Sequence, residues 1–161
     1  MTRLVQQLHD ELVRRQYAAS TIESYVKIVE AFRQHSGKRL DRTGPDDLRH
    51  YHVYLLEDRK LAVGTVVMNR VYDARYPKSV CGVVGQKNQF AQGVLTKKMT
   101  DSGAVLASQV ADQVLRGARH PGVGNAQHFH TAGLRFPYNN MYYVLEAGGN
   151  EFYEKRTPGT F

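Results

Sequence analysis

His128 and His130 stand two residues apart in Gln127-His128-Phe129-His130, where polar and aromatic residues alternate. Alternation at that period marks a β-strand, so both imidazoles project from one face. With His120 upstream as a third candidate, such a pair could ligate a metal ion, bond to a ligand or brace the strand. No carboxylate or cysteine completes a tetrahedral set at a recognisable spacing, so no metal is expected and two readings stay open: a hydrogen-bonded pair supporting the sheet, or contact with a ligand. Cys81 is the single cysteine. It excludes an internal disulfide, has no CxxC partner, and is expected to be buried as a small apolar side chain.

These residues must be positioned by a chain of 161 residues, 42% of them hydrophobic, enough for one domain or two small ones with a real core. No run approaches the ~18 apolar residues of a membrane span. The first residues, MTRLVQQLHDELVRRQ, are charged throughout and unlike a secretory signal, so a cytoplasmic location and no membrane partner are expected. The net charge of +7 is uneven: residues 1–60 hold 11 Lys+Arg against 9 Asp+Glu, and residues 61–161 hold 11 against 6. A basic field attracts any polyanion, nucleic acid or anionic cell-wall polymer alike.

In residues 1–60, Leu4, Val5, Leu8, Leu12 and Val13 recur at helical spacing and predict an amphipathic helix to about Gln16. Ser20 followed by Glu23 is a capping-box pattern opening a second helix with a stripe of Ile22, Tyr25, Val26, Val29 and Phe32, ended by Gly37. Gly44-Pro45-Asp46-Asp47 starts a third, with Leu48, Tyr51, Leu55 and Leu56 as its buried face. Beyond it, Val63, Val66, Val67 and Val71 fit one helix. Pro77 and Gly82 then break the chain, and Val80 to Val84 reads as a short extended or turn segment. A polar loop surrounds Phe90. Ala104 to Leu115 is amphipathic, with Val105, Leu106, Val110, Val114 and Leu115 inward and Gly117 at its end. Gln127 to His130, Met141 to Leu145 and Glu151 to Lys155 read as strands. Helices followed by a small antiparallel sheet predict an α+β fold.

The blocks Y-A-A-S-T-I-E-S-Y-V, F-R-Q-H-S-G-K, G-P-D-D-L-R-H-Y and L-L-E-D-R-K-L occur in this order in residues 1–60. Their sequence resembles the N-terminal core-binding, SAM-like domain of tyrosine recombinases and phage integrases. That resemblance implies a three- to four-helix bundle that meets duplex DNA with basic side chains, here Arg14, Arg15, Lys27, Arg33, Lys38, Arg39 and Arg42. The Arg, H-x-x-R and nucleophilic Tyr of the recombinase catalytic domain do not occur after residue 70, so DNA strand exchange is not expected.

A second set of blocks, V-V-M-N-R-V, R-Y-P-K-S-V-C-G-V-V, Q-F, S-Q-V-A-D-Q-V-L-R-G, P-G-V-G-N-A-Q-H-F-H and F-Y-E-K, runs in order through residues 61–156. This part is similar to SleB-type cell-wall hydrolases. The resemblance implies a lysozyme-like helical and small antiparallel sheet domain over residues 61–161, shortened at its start, with peptidoglycan glycan strands as substrate and no cofactor. It also implies lytic transglycosylase or muramidase chemistry, in which a carboxyl group of raised pKa protonates the glycosidic oxygen. Asn69, Gln89, Phe90, His128 and His130 take substrate-binding positions, Asn69 bonding either sugar or backbone, and Tyr138, Tyr142, Tyr143 and Tyr153 could stack on sugar rings.

The family's acidic block, of the form E-A-R-G-E, should stand about ten residues before Leu61, where this chain has Tyr51. Glu57 is the candidate stand-in for the catalytic acid, although it lies more than a helical turn, at ~1.5 Å per residue, from the expected place. A misplacement of ~1 Å already costs about a hundredfold in rate. Asp58 is expected at a solvated helix end, and Glu146, Glu151 and Glu154 on the surface. Three readings follow: an impaired cell-wall hydrolase, a non-catalytic DNA-binding module derived from an integrase, and a fusion of two gene fragments.

Overall fold

The computed structural model describes residues 2–135 and 139–156. Among the described residues, five α-helices precede a three-stranded sheet: α1 (Arg3–Arg14), α2 (Ala19–Ser36), α3 (Pro45–Tyr72), α4 (Val80–Val84), α5 (Ala104–Leu115), β1 (His128–Thr131), β2 (Met141–Ala147) and β3 (Asn150–Lys155), with a 3-10 turn at Leu40–Arg42. The fold is α+β. Two compact units divide the chain, Met1–Tyr54 and Leu55–Phe161.

In the first unit α1 packs on α2, burying Val5, Leu12, Ile22 and Phe32. Gly37 closes α2 in the left-handed conformation at φ 64°. Pro45 opens α3, and Asp47 caps it by accepting the Gly44 N–H at 3.0 Å. The capping box expected at Ser20 and Glu23 does not form: α2 begins at Ala19 with no side-chain cap, and the Ser20 carbonyl instead accepts the Ser24 hydroxyl inside the helix. Leu48, expected inward, is 56% exposed.

The expected break between the third helix and the segment from Val63 is absent, and Pro45–Tyr72 is one helix of 28 residues. No residue from Leu56 to Leu61 is Gly or Pro, so nothing in that stretch stops propagation. Thr65, Val66, Val67 and Met68 are all buried. Four consecutive buried residues exceed what one face of a helix can cover, so this stretch is enclosed on most sides. Thr65 is satisfied inside the core, its hydroxyl donating to the Leu61 carbonyl at 2.8 Å and accepting the His120 N–H at 2.8 Å.

The second unit has two apolar clusters. Ala62, Val66, Val123, Ala126, Ala147 and Phe152 form one, and Met68, Val110 and Val114, flanked by Leu61, Val80 and Leu106, form the other. On α5 the inward row is Leu106, Val110 and Val114, spaced by four. Val105 and Leu115 flank that row, and contrary to the expectation from periodicity they are 68% and 63% exposed. Val80–Val84 is a short helix rather than an extended segment, because the Ser79 side chain caps it by accepting the Gly82 N–H at 3.0 Å. That turn leaves Cys81 exposed, not buried as expected.

The sheet is antiparallel in the order β1-β3-β2. Gly148 and Gly149 join β2 to β3, both at positive φ (53° and 78°), as a two-residue turn of the I′ kind requires. A β-carbon on Gly148 would collide with the Arg59 β-carbon and lie 2.6 Å from the Arg59 Cα, whereas one on Gly149 would meet nothing within 4 Å. Gly148→Ala should therefore cost about 3 kcal/mol from overpacking added to left-handed strain, and Gly149→Ala only about 1 kcal/mol from strain. Urea unfolding of the two variants checks this, and equal costs would remove the close approach of the hairpin to Arg59.

Candidate functional site

The C-terminal end of α3 is laced to the chain that leads into β1. Asn69 donates its amide to the carbonyls of Gly124 at 2.8 Å and Ala126 at 2.9 Å. Arg70, only 4% exposed, donates through Nε to the Gln127 carbonyl at 2.8 Å and through Nη1 to Gln89 Oε1 at 3.1 Å. Its guanidinium lies 5.4 Å from the Tyr76 ring centre and 6.0 Å from that of Phe90. Burial pushes the guanidinium below its ordinary value, yet arginine keeps its charge in proteins. Phe90 in turn packs on Phe129, and Phe129 stacks on Phe152.

Beside this lacing lies a cleft of about 560 Å³ lined by Asn69, Asp73, Arg75, Asn125, Gln127 and Glu154, among others. Arg75 grips Asp73 with two side-chain bonds of 2.6 and 3.0 Å, and Gln127 Nε2 donates to the same carboxylate at 2.8 Å. The bonds from Arg75 and then Gln127 hold the Asp73 carboxyl far below the ordinary carboxylate range. It stays ionised at any physiological pH and cannot deliver a proton. Glu154 borders the cleft half-buried, with Arg156 Nε 3.8 Å away.

β1 and β3 carry the second group. His128 is opposite Tyr153 and His130 opposite Glu151, so all four side chains share one face. His130 Nδ1 is 2.8 Å from the Thr131 carbonyl, which can only accept, so Nδ1 carries a proton. Nε2 is 3.1 Å from the Tyr153 hydroxyl, which donates to Glu151 Oε2 at 2.6 Å. The His130 and Tyr153 rings stack at 5.0 Å, and Tyr143 meets Tyr153 edge-on at 5.9 Å. Tyr143 remains 58% exposed. Burial first, then the cations Arg70, Lys155 and Arg75, keep His128 below the ordinary histidine range and therefore neutral.

The residues singled out from sequence thus fall into three places. Asn69, Gln89 and Phe90 gather at the lacing, where the Asn69 amide bonds backbone. His128 and His130 lie on the sheet face. Glu57 is exposed on α3. Its neighbour Asp58 is not solvated as expected but bonds His120 Nε2 at 2.8 Å, while His120 Nδ1 accepts the Gly122 N–H at 3.1 Å. The three histidines therefore do not share one ligand set. Glu151 and Glu154, expected at the surface, are half-buried; Tyr138 lies outside the described residues. Sequence reading missed Arg70, Asp73, Arg75 and Gln127. An arginine amid the apolar run V-V-M-N-R-V was the available signal, since buried arginine needs acceptors.

In the first unit most of the basic candidates are already paired. Arg14 and Arg15 both bond Glu11 (2.6 and 2.7 Å), Arg33 bonds Glu30 (2.7 Å), Lys38 bonds Asp47 (2.6 Å) and Arg39 bonds Asp41 (2.9 Å). Arg42 is exposed. Arg33, Lys38 and Arg39 line one cleft of about 600 Å³ together with Arg3 and Asp41. Apart from the half-buried Arg33–Glu30 pair, such exposed pairs are worth about 0–1 kcal/mol and yield readily to a competing anion.

Two substitutions probe the lacing. Asn69→Asp would aim a carboxylate at two carbonyls and should cost about 3 kcal/mol or more, against about 1–2 kcal/mol for Asn69→Ala; urea midpoints that rank them the other way would contradict the assigned bonds. Asp73 has a depressed folded-state pKa, so its contribution is present above the unfolded value and lost as pH falls. Wild-type stability should drop below about pH 4, and Asp73→Asn should start lower at neutral pH and fall less steeply in acid. Parallel stability curves for the two proteins would remove Asp73 from the lacing.

The model of the phage integrase N-terminal SAM-like domain matches residues 4–71. The Sinorhizobium fredii protein y4qK, named as an integrase/recombinase, is 36% identical over 66 residues, which is 41% of this chain and 21% of that protein. The chain therefore spans about a fifth of the length of that relative. Two solved structures are similar to it. One is the catalytic domain of Bacillus cereus SleB, 19% identical over 63% of this chain and 85% of that one, with a TM-score of 0.49. The other is the catalytic domain of the germination-specific lytic transglycosylase SleB from Bacillus anthracis, 18% identical over 72% and 100%, with a TM-score of 0.48. The Cell Wall Hydrolase family model matches residues 57–153, more than half of the chain, and the chain belongs to that family.

Proposed function

We propose that residues 57–153 hold peptidoglycan glycan strands against the sheet face and the neighbouring cleft, with cleavage of the lytic transglycosylase or muramidase type strongly impaired. The exposed Tyr143 ring beside Tyr153 and His130 offers a platform on which a sugar ring can stack. Asn125, Gln127 and Glu154 offer polar contacts in the cleft. Cleaving a glycosidic bond further needs a protonated carboxyl group beside the leaving oxygen.

One observation carries the impairment. The position where the family resemblance places the acid is Tyr51, and its ring is packed in the first unit, 5.3 Å from Phe32 and 5.1 Å from His35. Among the carboxylates near the proposed glycan surface, Asp73 bonds Arg75 and Gln127 and Glu151 accepts from the Tyr153 hydroxyl, while Glu154 lies 3.8 Å from Arg156 Nε. Glu57 remains the nearest stand-in in sequence, on an exposed stretch of α3.

A second reading is supported by the gathering of Arg33, Lys38 and Arg39 around one cleft with Arg3. Residues 1–60 would then bind duplex DNA through phosphate contacts, with an affinity that falls steeply with salt.

Sedimentation with insoluble peptidoglycan should show binding that Tyr143→Ala weakens about fivefold, a single stacking contact being worth about 1 kcal/mol. Release of soluble fragments should be at least about a hundredfold slower than from a family member with its acid in place, and installing E-A-R-G-E at residues 51–55 should raise it. Rapid release by the wild type, abolished by Glu57→Gln or Glu154→Gln, would overturn the impairment. Absence of binding, with duplex DNA captured instead, would favour the second reading.

A further inference from the structure

The second unit contains an apolar cleft apart from the sheet face and polar cleft assigned to glycan, sharing only Phe90 with the substrate-binding positions that the family resemblance implies. Its volume is about 690 Å³, and its walls include Val63, Val67 and Met68 of α3, Val110 and Val114 of α5, and Phe129 of β1. One buried polar group lines it. Asn150 is 2% exposed, and its side-chain amide nitrogen has no hydrogen-bond partner among the described residues. A buried amide donor left unpaired costs about 1–3 kcal/mol, and apolar walls without partner atoms forgo dispersion contacts as well. Both costs fall on the same cleft, and one molecule could relieve both.

The rim indicates which molecule. Arg59 and Lys60 of α3 also line the cleft, and neither forms an ion pair among the described residues. The Arg59 backbone lies against Gly148 in the turn that leads into Asn150. Two cations and an unpaired amide donor therefore line an otherwise apolar cleft.

We propose that this cleft binds a single-chain anionic amphiphile, with its acidic head at Arg59, Lys60 and the Asn150 amide and its hydrocarbon chain along α3 and α5. A fatty acid and an isoprenoid phosphate share that chemistry. The amide donates to a head-group oxygen, the cations neutralise the charge, and the chain covers Val63, Val67, Val110 and Val114. This proposal is independent of the glycan reading, since the sheet face with His130 and Tyr143 takes no part.

Calorimetric titration of the full chain with dodecanoate, farnesyl phosphate, dodecyltrimethylammonium and hexanoate, each below its aggregation threshold, tests it. At least one of the first two should bind about tenfold or more tighter than the cationic amphiphile. Hexanoate should bind about a hundredfold or more weaker than dodecanoate if the chain is buried. The tighter of dodecanoate and farnesyl phosphate identifies the source of the chain. Ala111→Trp places a bulky ring at an exposed lining position on α5 and should abolish binding with the circular dichroism spectrum unchanged, while Arg59→Glu with Lys60→Glu should remove the preference for anions. No binding by either anionic ligand, equal binding of the cation, indifference to Ala111→Trp, or a concentration-dependent dimer that excludes the ligands would each overturn the proposal.

Discussion

A guanidinium taken out of water must keep its charge and find acceptors, and Arg70 sets that condition for the second unit. Its donors reach the Gln127 carbonyl and the Gln89 side chain, which fixes the chain entering β1 and the loop around Phe90 against one end of α3. Asn69 adds two bonds to the same stretch. Leaving a buried charge unpaired costs several kcal/mol, so this region has few alternative arrangements. The strand that bears His128 and His130 begins where Arg70 holds it.

From that anchor the chemistry divides between two surfaces. Asp73 is pinned by Arg75 and Gln127 and remains ionised, which suits it to orienting neighbours and not to donating a proton. On the sheet, Glu151 receives the Tyr153 hydroxyl while His130 stacks on the same tyrosine. In the proposed function these groups hold a polar, ring-shaped ligand. A glycosidase that retains its acid pairs such holding with a carboxyl group of raised pKa. Here the place the family resemblance assigns to that group carries Tyr51, packed with Phe32 and His35 in the other unit.

Much of the fold was legible because period and punctuation agree. Gly37, Gly44-Pro45 and Gly117 end or begin helices where expected, and the Gln127 to His130 alternation yields β1 in register with β3. Errors arose where local pattern competes with its surroundings. The apolar stripes before Leu56 and after Val63 read as two helices, yet no breaker separates them and the helix simply propagates. Val105 and Leu115 satisfy a helical period but flank the row that faces inward. Cys81 and Val80–Val84 were misread because one serine cap turns the segment into a helix. At the site, the histidine pair and Asn69 were visible from spacing and resemblance. Arg70, Asp73 and Arg75 each bond Gln127, more than fifty positions away, and no local pattern encodes such partners.

The proposed function requires a glycan-holding surface that has lost its proton donor, and an NMR titration of the labelled full chain with a soluble peptidoglycan tetrasaccharide tests both halves together. Amide shifts should concentrate on β1, β3 and residues 125–127, while the sugar resonances keep the intact tetrasaccharide pattern over days. Shifts confined to other elements would contradict the surface, and prompt growth of cleaved-sugar resonances would contradict the loss of the acid.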